Sequence, residues 1–158
     1  MQLFGKAVLD ALTRAAEASP RRRQNLNLHE SSAHPAHRFF NAMEPHSYVR
    51  PHRHLDATKD ETFVAPRGAF GLIVFADNGE VAESAVLRPD AESFAAHVPH
   101  SVFHSAIALE PGSIFFEVKA GPYDPHLDKD WAQWAPPEGD AAAAAYLAQL
   151  YRLFERRS

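Results

Sequence analysis

The chain of 158 residues contains no cysteine, no long apolar run and no excess of basic residues. The lack of cysteine excludes disulfide bonds and every metal site that is built from thiolates. No stretch approaches the roughly 18 consecutive apolar residues of a membrane-spanning helix. The net charge of −4 gives no electrostatic reason to expect nucleic acid or an anionic membrane as a partner. What is left is a globular protein with an ordinary hydrophobic content of 46%.

Two features near the start of the chain bear on location and partners. The first 19 residues lack the apolar segment and cleavage site of a signal peptide, so we expect a cytoplasmic protein. The basic run at residues 21–23 is short and polar residues follow it, which is typical of a solvated or structural run. We therefore expect neither nucleic acid nor a membrane among the partners.

Hydrophobic spacing predicts a helix, then a series of short strands, then a second helix. Apolar residues recur at helical intervals in residues 6–18, and Ser19 and Pro20 end that pattern. Between residues 37 and 120, short apolar runs alternate with turn-forming sequences, which favours an antiparallel sandwich or barrel. The stretch at residues 139–157 predicts a helix with one packed face, because it carries an apolar stripe: Leu147, Leu150, Tyr151 and Phe154.

These elements predict a single domain over residues 1–158. Its parts are an N-terminal helix at residues 1–20, a barrel at about 24–125, and a covering arm with the C-terminal helix at about 126–158.

Two local patterns predict details of the barrel. Asn78 and Gly79 lie between two apolar runs and both tolerate positive φ, so they predict a two-residue hairpin turn. The phenylalanines of the apolar runs are expected to fill the barrel core: Phe63, Phe70, Phe75, Phe115 and Phe116.

The stretch SYVRPHRHLDATKDE concentrates candidate metal ligands in a chain with ten histidines. Residues i and i+2 of a strand lie on one face, so His52 and His54 would project together if residues 48–54 form a strand. Tyr48 and Arg50 would lie on the same side. Two neighbouring imidazoles can chelate one ion, although the same pair also suits the polar rim of a sheet.

Two further residues extend this pair into a set of ligands. Glu61 begins the next apolar run, on what reads as a returning strand. His104 lies far along the chain in the sequence VPHSVFH, at the start of another strand. A carboxylate and a third imidazole from distant strands would close a metal site around His52 and His54.

These motifs resemble those of cupins, small β-barrels with a metal inside. PHRH followed by Glu61 and Gly68 resembles the first cupin motif, and PHSVFH, which ends at His104, resembles the second. The flanking sequences RQNLNLH, SYVRPHRH, EVKAGPY and WAPPE resemble the WbuC-type cupin metalloproteins, from about residue 23 to residue 138. The resemblance implies a mostly β fold, an antiparallel, jelly-roll-like cupin barrel with an N-terminal and a C-terminal helix. It also implies the metal ligands His52, His54, Glu61 and His104.

The chain departs from the general cupin pattern at three places. Six residues separate His54 from Glu61, more than in general cupins, so the connecting turn is enlarged. His46 and Ser101 stand where general cupins have glycine, which leaves the conformation of two turns open. Glu117 on a later strand is an alternative carboxylate ligand, because it could approach the barrel interior.

A set of imidazole and carboxylate ligands suits one divalent transition metal ion, which would be Zn, Fe, Mn, Ni or Co. Such a set leaves open positions for water or a substrate. Arginine and lysine beside the metal suit a small anionic or oxygen-rich molecule, such as a sugar, a carboxylate or a phosphate. The candidate substrate-binding residues, each of which also suits a solvated rim, are Tyr48, Arg50, Glu117, Lys119 and Tyr123.

We therefore expect a metal-binding cupin that binds or converts a small anionic or sugar-derived molecule. Isomerase or epimerase chemistry linked to O-antigen polysaccharide biosynthesis follows only from the genomic association of the WbuC family. The alternatives are an Fe(II)-dependent dioxygenase and a non-enzymatic ligand-binding or sensor module, because both also use open metal sites. The edge of a small barrel and a helix at each end favour a homodimer.

Overall fold

The computed structural model describes residues 1–155, which form two helices and ten strands. The helices are α1 (Lys6–Ala18) and α2 (Ala143–Arg152). The strands are β1 (Arg23–Asn27), β2 (Ala36–Met43), β3 (His52–Arg53), β4 (Glu61–Arg67), β5 (Phe70–Phe75), β6 (Val81–Leu87), β7 (Ala95–Val98), β8 (Phe103–Ala108), β9 (Ser113–Ala120) and β10 (Asp130–Trp131). They form two five-stranded antiparallel sheets, ordered β1-β2-β9-β4-β7 and β10-β3-β8-β5-β6. The predicted mostly β architecture with a helix at each end is confirmed.

The two sheets enclose a buried apolar interior. Phe63 of β4 and Phe115 of β9, from one sheet, pack in one cluster with Phe70 of β5 from the other sheet. The Phe115 ring meets the Phe70 ring edge to face, with centroids 4.8 Å apart. The Phe63 ring also lies 6.1 Å from the ring of His104, so this apolar interior borders the histidines.

Helices and a connecting arm cover the outer faces of the sheets. The arm, residues 121–142, runs from β9 to α2 and includes β10. On one sheet, α1 places Leu12 and Ala16 against Ile114 of β9. On the other sheet, one cluster joins α2 and the arm to β5 and β8: Leu147, Leu150, Ala132, Ile73 and Ile107. Because β5 is covered on both faces, its sequence FGLIVF has no polar residue at alternate positions.

Three of the phenylalanines expected in the barrel core lie in the interior cluster: Phe63, Phe70 and Phe115. The other two pack elsewhere. Phe75 contacts Trp134 of the arm, with ring centroids 5.1 Å apart. Phe116 packs against Phe40 of β2, with centroids 5.0 Å apart. Neighbouring side chains on a strand point to opposite faces, so Phe115 and Phe116 cannot both face inward.

The turn between β5 and β6 has three residues instead of the predicted two. The Ala76 amide donates to the Glu80 carbonyl at 2.9 Å, and the Gly79 amide donates to the Ala76 carbonyl at 3.0 Å. Gly79 has a φ of 91°, whereas Asn78 does not adopt positive φ. A turn closed by one left-handed glycine gives this loop length. The predicted hairpin is therefore confirmed, and the predicted two-residue turn is wrong.

The strand expected at residues 48–54 is reduced to His52–Arg53. Pro51 has no N–H to donate to a neighbouring strand. The Val49 carbonyl accepts a hydrogen bond from the Ser105 hydroxyl at 2.7 Å instead of joining a ladder. The chain before β3 is therefore irregular, and its side chains do not share one face.

The C-terminal helix is shorter than the stretch at residues 139–157 that predicted it. Gly139 has a φ of 87°, and the Asp140 carboxylate accepts a hydrogen bond from the Ala142 amide at 2.8 Å, so the chain turns before α2 begins. The end of the predicted stretch, from residue 156 onward, lies outside the described residues. Within residues 1–155, neither helix has the length and apolar character to cross a membrane.

His46 and Ser101, where general cupins have glycine, both adopt the left-handed backbone conformation, with φ of 70° and 63°. The Ser101 amide donates to the His54 carbonyl at 2.7 Å, so this turn holds the approach to β8 beside the end of β3. A side chain at positive φ crowds its own backbone, which costs about 1–2 kcal/mol per residue.

Ser101→Gly is expected to raise the free energy of unfolding by about 0.5–1 kcal/mol, because the relief of crowding exceeds the entropy that glycine adds to the unfolded chain. Denaturant unfolding of both proteins measures the change. Ser93→Gly is the matched control, since Ser93 is exposed and has no positive φ, and it should not gain stability. A destabilised Ser101→Gly protein would contradict the strain assigned to this turn.

Candidate metal centre

Four buried side chains meet between the two sheets. His52 of β3 and His104 of β8 are directly paired in one sheet, and their ring centroids are 4.8 Å apart. Glu61 opens β4 in the facing sheet, and His54 directly follows β3. The candidate ligand atoms of all four lie within 4.8 Å of one another. The structure thus brings together the four residues that the sequence analysis assigned as ligands.

Backbone carbonyls fix the orientation of all three imidazole rings. The Nδ1 of His52 donates a hydrogen bond to the Arg50 carbonyl at 3.1 Å, and the Nδ1 of His104 donates one to the Val102 carbonyl at 2.9 Å. The Nδ1 of His54 donates to the carbonyl of Asp128. A carbonyl oxygen only accepts, so each Nδ1 carries the hydrogen and each neutral ring presents a lone pair at Nε2.

These lone pairs converge on a carboxylate. The Nε2 of His104 lies 2.6 Å from Oε2 of Glu61, and the Nε2 of His54 lies 3.1 Å from Oε1. Within residues 1–155, these two nitrogens and Oε2 have no hydrogen-bond partner. Two acceptor atoms at such distances repel unless a proton or a metal cation lies between them. Imidazole nitrogens and a carboxylate oxygen are donors that a divalent transition metal accepts, so the residues fit such an ion.

The surrounding charges keep Glu61 ionised and His52 neutral. Burial acts to raise the pKa of Glu61, but the Lys119 ammonium, together with His104 and His54 when a proton on Nε2 faces the carboxylate, holds it well below its usual range. Burial, together with the positive charge of Lys129, lowers the pKa of His52. Both protonation states are the ones that a metal ligand requires.

The pKa of Glu117 is shifted in the opposite direction to that of Glu61. Burial and the negative charge of Glu61 raise the pKa of Glu117 well above its usual range, although the Lys119 ammonium at 3.9 Å opposes this, so the protonated form of this carboxyl group is favoured. The side-chain amide of Asn41 donates to Oε2 of Glu117 at 3.2 Å. Two carboxyl groups in one cavity, one ionised and one protonated, are a common arrangement for proton transfer.

Asp128 links the centre to the arm, and the sequence analysis did not identify it. Its carboxylate is buried and pairs with the ammonium of Lys59 at 2.5 Å and with that of Lys119 at 3.1 Å. Burial acts to raise the pKa of Asp128, but these two cations lower it. Its own carbonyl orients His54. Because Asp128 lies in an otherwise exposed loop, no spacing pattern could have marked it.

The enlarged turn between His54 and Glu61 delivers one of these cations. The Asp56 side chain accepts hydrogen bonds from the amide and the hydroxyl of Thr58, at 2.9 and 2.7 Å, which closes the turn. Lys59 then points inward, where it donates to Asp128 and to the arm. The additional length of this turn therefore serves the buried charge network.

A cavity of about 440 Å³ adjoins the four-residue cluster. Four of the predicted substrate-binding residues line it: Arg50, Glu117, Lys119 and Tyr123. The Arg50 guanidinium donates to the Ala132 carbonyl at 2.6 Å, which turns it toward the arm. Tyr48 is not brought to this cavity. It lies in the outer cluster beneath α2, where its hydroxyl donates to the Pro136 carbonyl at 2.8 Å.

The arm contributes Lys129 and Trp131 to the cavity, and the sequence analysis assigned neither to the site. Trp131 is paired with His52 through β10, and their ring centroids are 5.4 Å apart. The alternate spacing of Lys129 and Trp131 in DKDW was the available signal, since alternate residues of a strand share a face.

The basic run at residues 21–23 has a structural role. Arg21 and Arg23 both donate to the carboxylate of Glu138 in the arm, at 2.6 and 2.7 Å. Burial opposes ionisation of Glu138, but the two guanidinium groups lower its pKa to about 2. This contact joins the start of β1 to the arm beside the cavity.

A family model for a domain of unknown function, DUF6016, matches residues 4–87 of the chain. No curated protein sequence matches it. Among solved structures, KdgF from a Halomonas species is 21% identical, with a TM-score of 0.52, over 70% of this chain and 88% of KdgF. The protein TT1209 from Thermus thermophilus is 20% identical, with a TM-score of 0.53, over 76% of this chain and 97% of TT1209.

A third similar structure is CapF, a capsular polysaccharide assembling protein from Staphylococcus aureus. It is 16% identical, with a TM-score of 0.54 over 68% of this chain, which spans only 29% of CapF. Identities this low establish the fold alone. Cupin-fold proteins among these structures confirm the predicted cupin, jelly-roll-like barrel.

Asp128→Asn is expected to lower the free energy of unfolding by about 3–5 kcal/mol, because two buried ammonium groups lose their shared anion. Denaturant unfolding in the absence of metal measures this loss. Asp124→Asn in the same loop is the control: Asp124 is exposed, and asparagine retains an acceptor for the His126 amide. Equal stability of the two variants would contradict the assigned role of Asp128.

Proposed function

The chain belongs to the DUF6016 family, whose function is unknown, and we propose that it is a metal-dependent cupin that binds and converts a small anionic molecule. The observation that supports this proposal is the convergence of buried lone pairs from Glu61 and three histidines, several of them without a hydrogen-bond partner in residues 1–155. A polar arrangement of this kind is costly to bury unless a cation neutralises it. The cupin fold is consistent with this assignment.

His52, His54, Glu61 and His104 would hold one divalent ion, which could be Zn, Fe, Mn, Ni or Co. When bound, such an ion acts as a Lewis acid on an oxygen atom of the ligand. The chain's own groups would keep that site ready. Backbone carbonyls hold the imidazole lone pairs toward the ion, and Lys119 favours the ionised state of Glu61.

The charge around the cluster supports an anionic ligand. Lys59 and Lys119 supply two ammonium groups, against the carboxylates of Glu61 and Asp128. Lys129 adds a third amine, whose pKa burial lowers, and burial raises the pKa of Glu117, which disfavours a further negative charge. A divalent cation would add two positive charges beside these lysines, so a carboxylate or phosphate would be attracted to the cavity.

Proton transfer by Glu117 would suit isomerase or epimerase chemistry. This carboxyl group lines the cavity, has a pKa that burial raises and is oriented by Asn41. Arg50, Lys119 and Tyr123 would contact the ligand from the same cavity. A link to polysaccharide biosynthesis follows from the resemblance to WbuC-type cupins. It is supported by one similar structure, CapF, which is a capsular polysaccharide assembling protein. The homodimer and the cytoplasmic location stay predictions from the sequence.

Elemental analysis of the purified protein is expected to find a stoichiometric divalent metal. His52→Ala and His104→Ala should each lose it and keep a folded barrel, because the core is built from apolar side chains. In the wild type, metal at a hundredfold excess over its Kd should add about 2.7 kcal/mol of stability, measured as a higher melting temperature.

His97→Ala is the matched control for metal loss. His97 is exposed, and its ring contacts the Thr62 hydroxyl and the Asp60 carboxylate, so it is not one of the four clustered residues. It should retain its metal and its metal-dependent rise in melting temperature. Stoichiometric metal in either His52→Ala or His104→Ala would refute the assigned centre.

A second candidate function is an Fe(II)-dependent dioxygenase, because histidines with one carboxylate beside a cavity also suit oxygen activation. Anaerobic reconstitution with Fe(II), followed by measurement of oxygen uptake with small carboxylic acids and sugars, separates the two. Uptake that depends on the added compound would favour the dioxygenase. Metal-dependent ligand binding without any turnover would favour the non-enzymatic module instead.

A further inference from the structure

Within residues 1–155, the cavity is lined by one lysine, Lys129, whose amine has no direct hydrogen bond or ion pair with a side chain. Burial and the charge of Lys119 lower the pKa of Lys129, while the more distant carboxylates of Glu61, Glu117 and Asp128 act to raise it. Lys129 is partly exposed in the cavity. Its aromatic contact is with Trp131, whose ring centroid lies 5.2 Å from Nζ. A partly buried amine without a direct ion-pair partner is costly to charge, so an anionic ligand that pairs with it favours its charged form and gains binding free energy.

The short strand β10 explains how Lys129 reaches the cavity. Trp131 is the partner of His52, and Asp130 is the partner of Arg53. Trp131 shares the face of His52, and Lys129, which directly precedes β10, lies against the Trp131 ring and lines the same cavity. Asp130 points the other way, where its carboxylate accepts a hydrogen bond from the Arg53 guanidinium at 2.7 Å.

The other cations that line the cavity already have partners. Lys119 pairs with Asp128, and Arg50 donates to a backbone carbonyl of the arm. Arg21 and Arg23 hold one carboxylate of the arm. A ligand would have to break an existing contact to engage any of these groups. Lys129 can bind without such a loss.

We propose that Lys129, placed against Trp131, binds the anionic group of the ligand in this cavity. This inference rests on the proposed function and adds a second point of attachment beside the metal centre. The ammonium would donate a charge-assisted hydrogen bond to a carboxylate or phosphate oxygen. The Trp131 ring would offer an apolar face to the carbon atoms of the ligand. Selection of anions over neutral molecules would then lie in the arm.

Titration calorimetry with oxalate and with inorganic phosphate tests this role, on the protein with its metal and after removal of the metal by a chelator. Lys129→Met removes the charge and keeps most of the apolar stem. It should weaken binding of at least one anion about tenfold or more. Lys129→Arg should retain most of the affinity, because it keeps the charge. The preferred anion then identifies the chemical class of the ligand.

Two further measurements separate a binding role from a structural one. Lys6→Met, an exposed lysine on α1, is the control and should bind both anions as the wild type does. Without ligand, Lys129→Met should melt at or above the wild-type temperature, because a partly buried amine without a direct ion-pair partner has been removed. Unchanged anion affinity in Lys129→Met, or no binding of either anion to the wild type, would overturn the inference.

The proposed function and this inference fail in different ways. Absence of metal from the wild type would refute the metal centre, while the comparison of Lys129→Met with wild type in the metal-free protein would still decide the role of Lys129. Loss of metal together with anion binding in Lys129→Met would overturn the inference, because it would make the lysine a support of the centre.

Discussion

Three imidazole rings are each held by a hydrogen bond from Nδ1 to a backbone carbonyl, and the rest of the site depends on this constraint. The bonds turn three lone pairs toward Glu61, so the protein must supply or attract positive charge at that point. The neighbouring groups are arranged accordingly. Burial raises the pKa of Glu117 and so favours its protonated form, and two lysines share the carboxylate of Asp128. The result is a preorganised centre in which donor directions are set by the main chain.

Much of the fold could be predicted because its physical signals are local. Helical spacing located α1, with its end at Ala18, and apolar runs between turns indicated antiparallel sheets. Predictions were wrong where one residue decided the outcome. Pro51 prevents a longer strand before His52, and a single left-handed glycine lengthens the hairpin turn at Gly79. The outward position of Phe75 depends on a cover supplied by the distant Trp134, which a local pattern does not contain.

The candidate site, like the fold, was predictable only in part. The spacing of His52 and His54, and the motifs with Glu61 and His104, predicted the four side chains that meet in the structure. The supporting groups were not predictable, because their partners are remote. The carbonyl that orients His54 belongs to Asp128, 74 residues along the chain. Burial of one acidic residue within an exposed loop is a property of the assembled structure and leaves no periodic signal in the sequence.

The arm has a consequence for redesign of this barrel. The four clustered residues all precede residue 105 and lie on strands or directly next to one. Lys129 and Trp131 belong to the arm, which is joined to β3 by the two paired residues of β10. A graft of a different segment onto that edge could change which molecule the cavity accepts and leave the strands untouched. Asp128 limits such a graft, because it belongs to the arm but pairs with Lys59 and orients His54 in the barrel. A graft that keeps this one residue would separate ligand choice from the integrity of the centre.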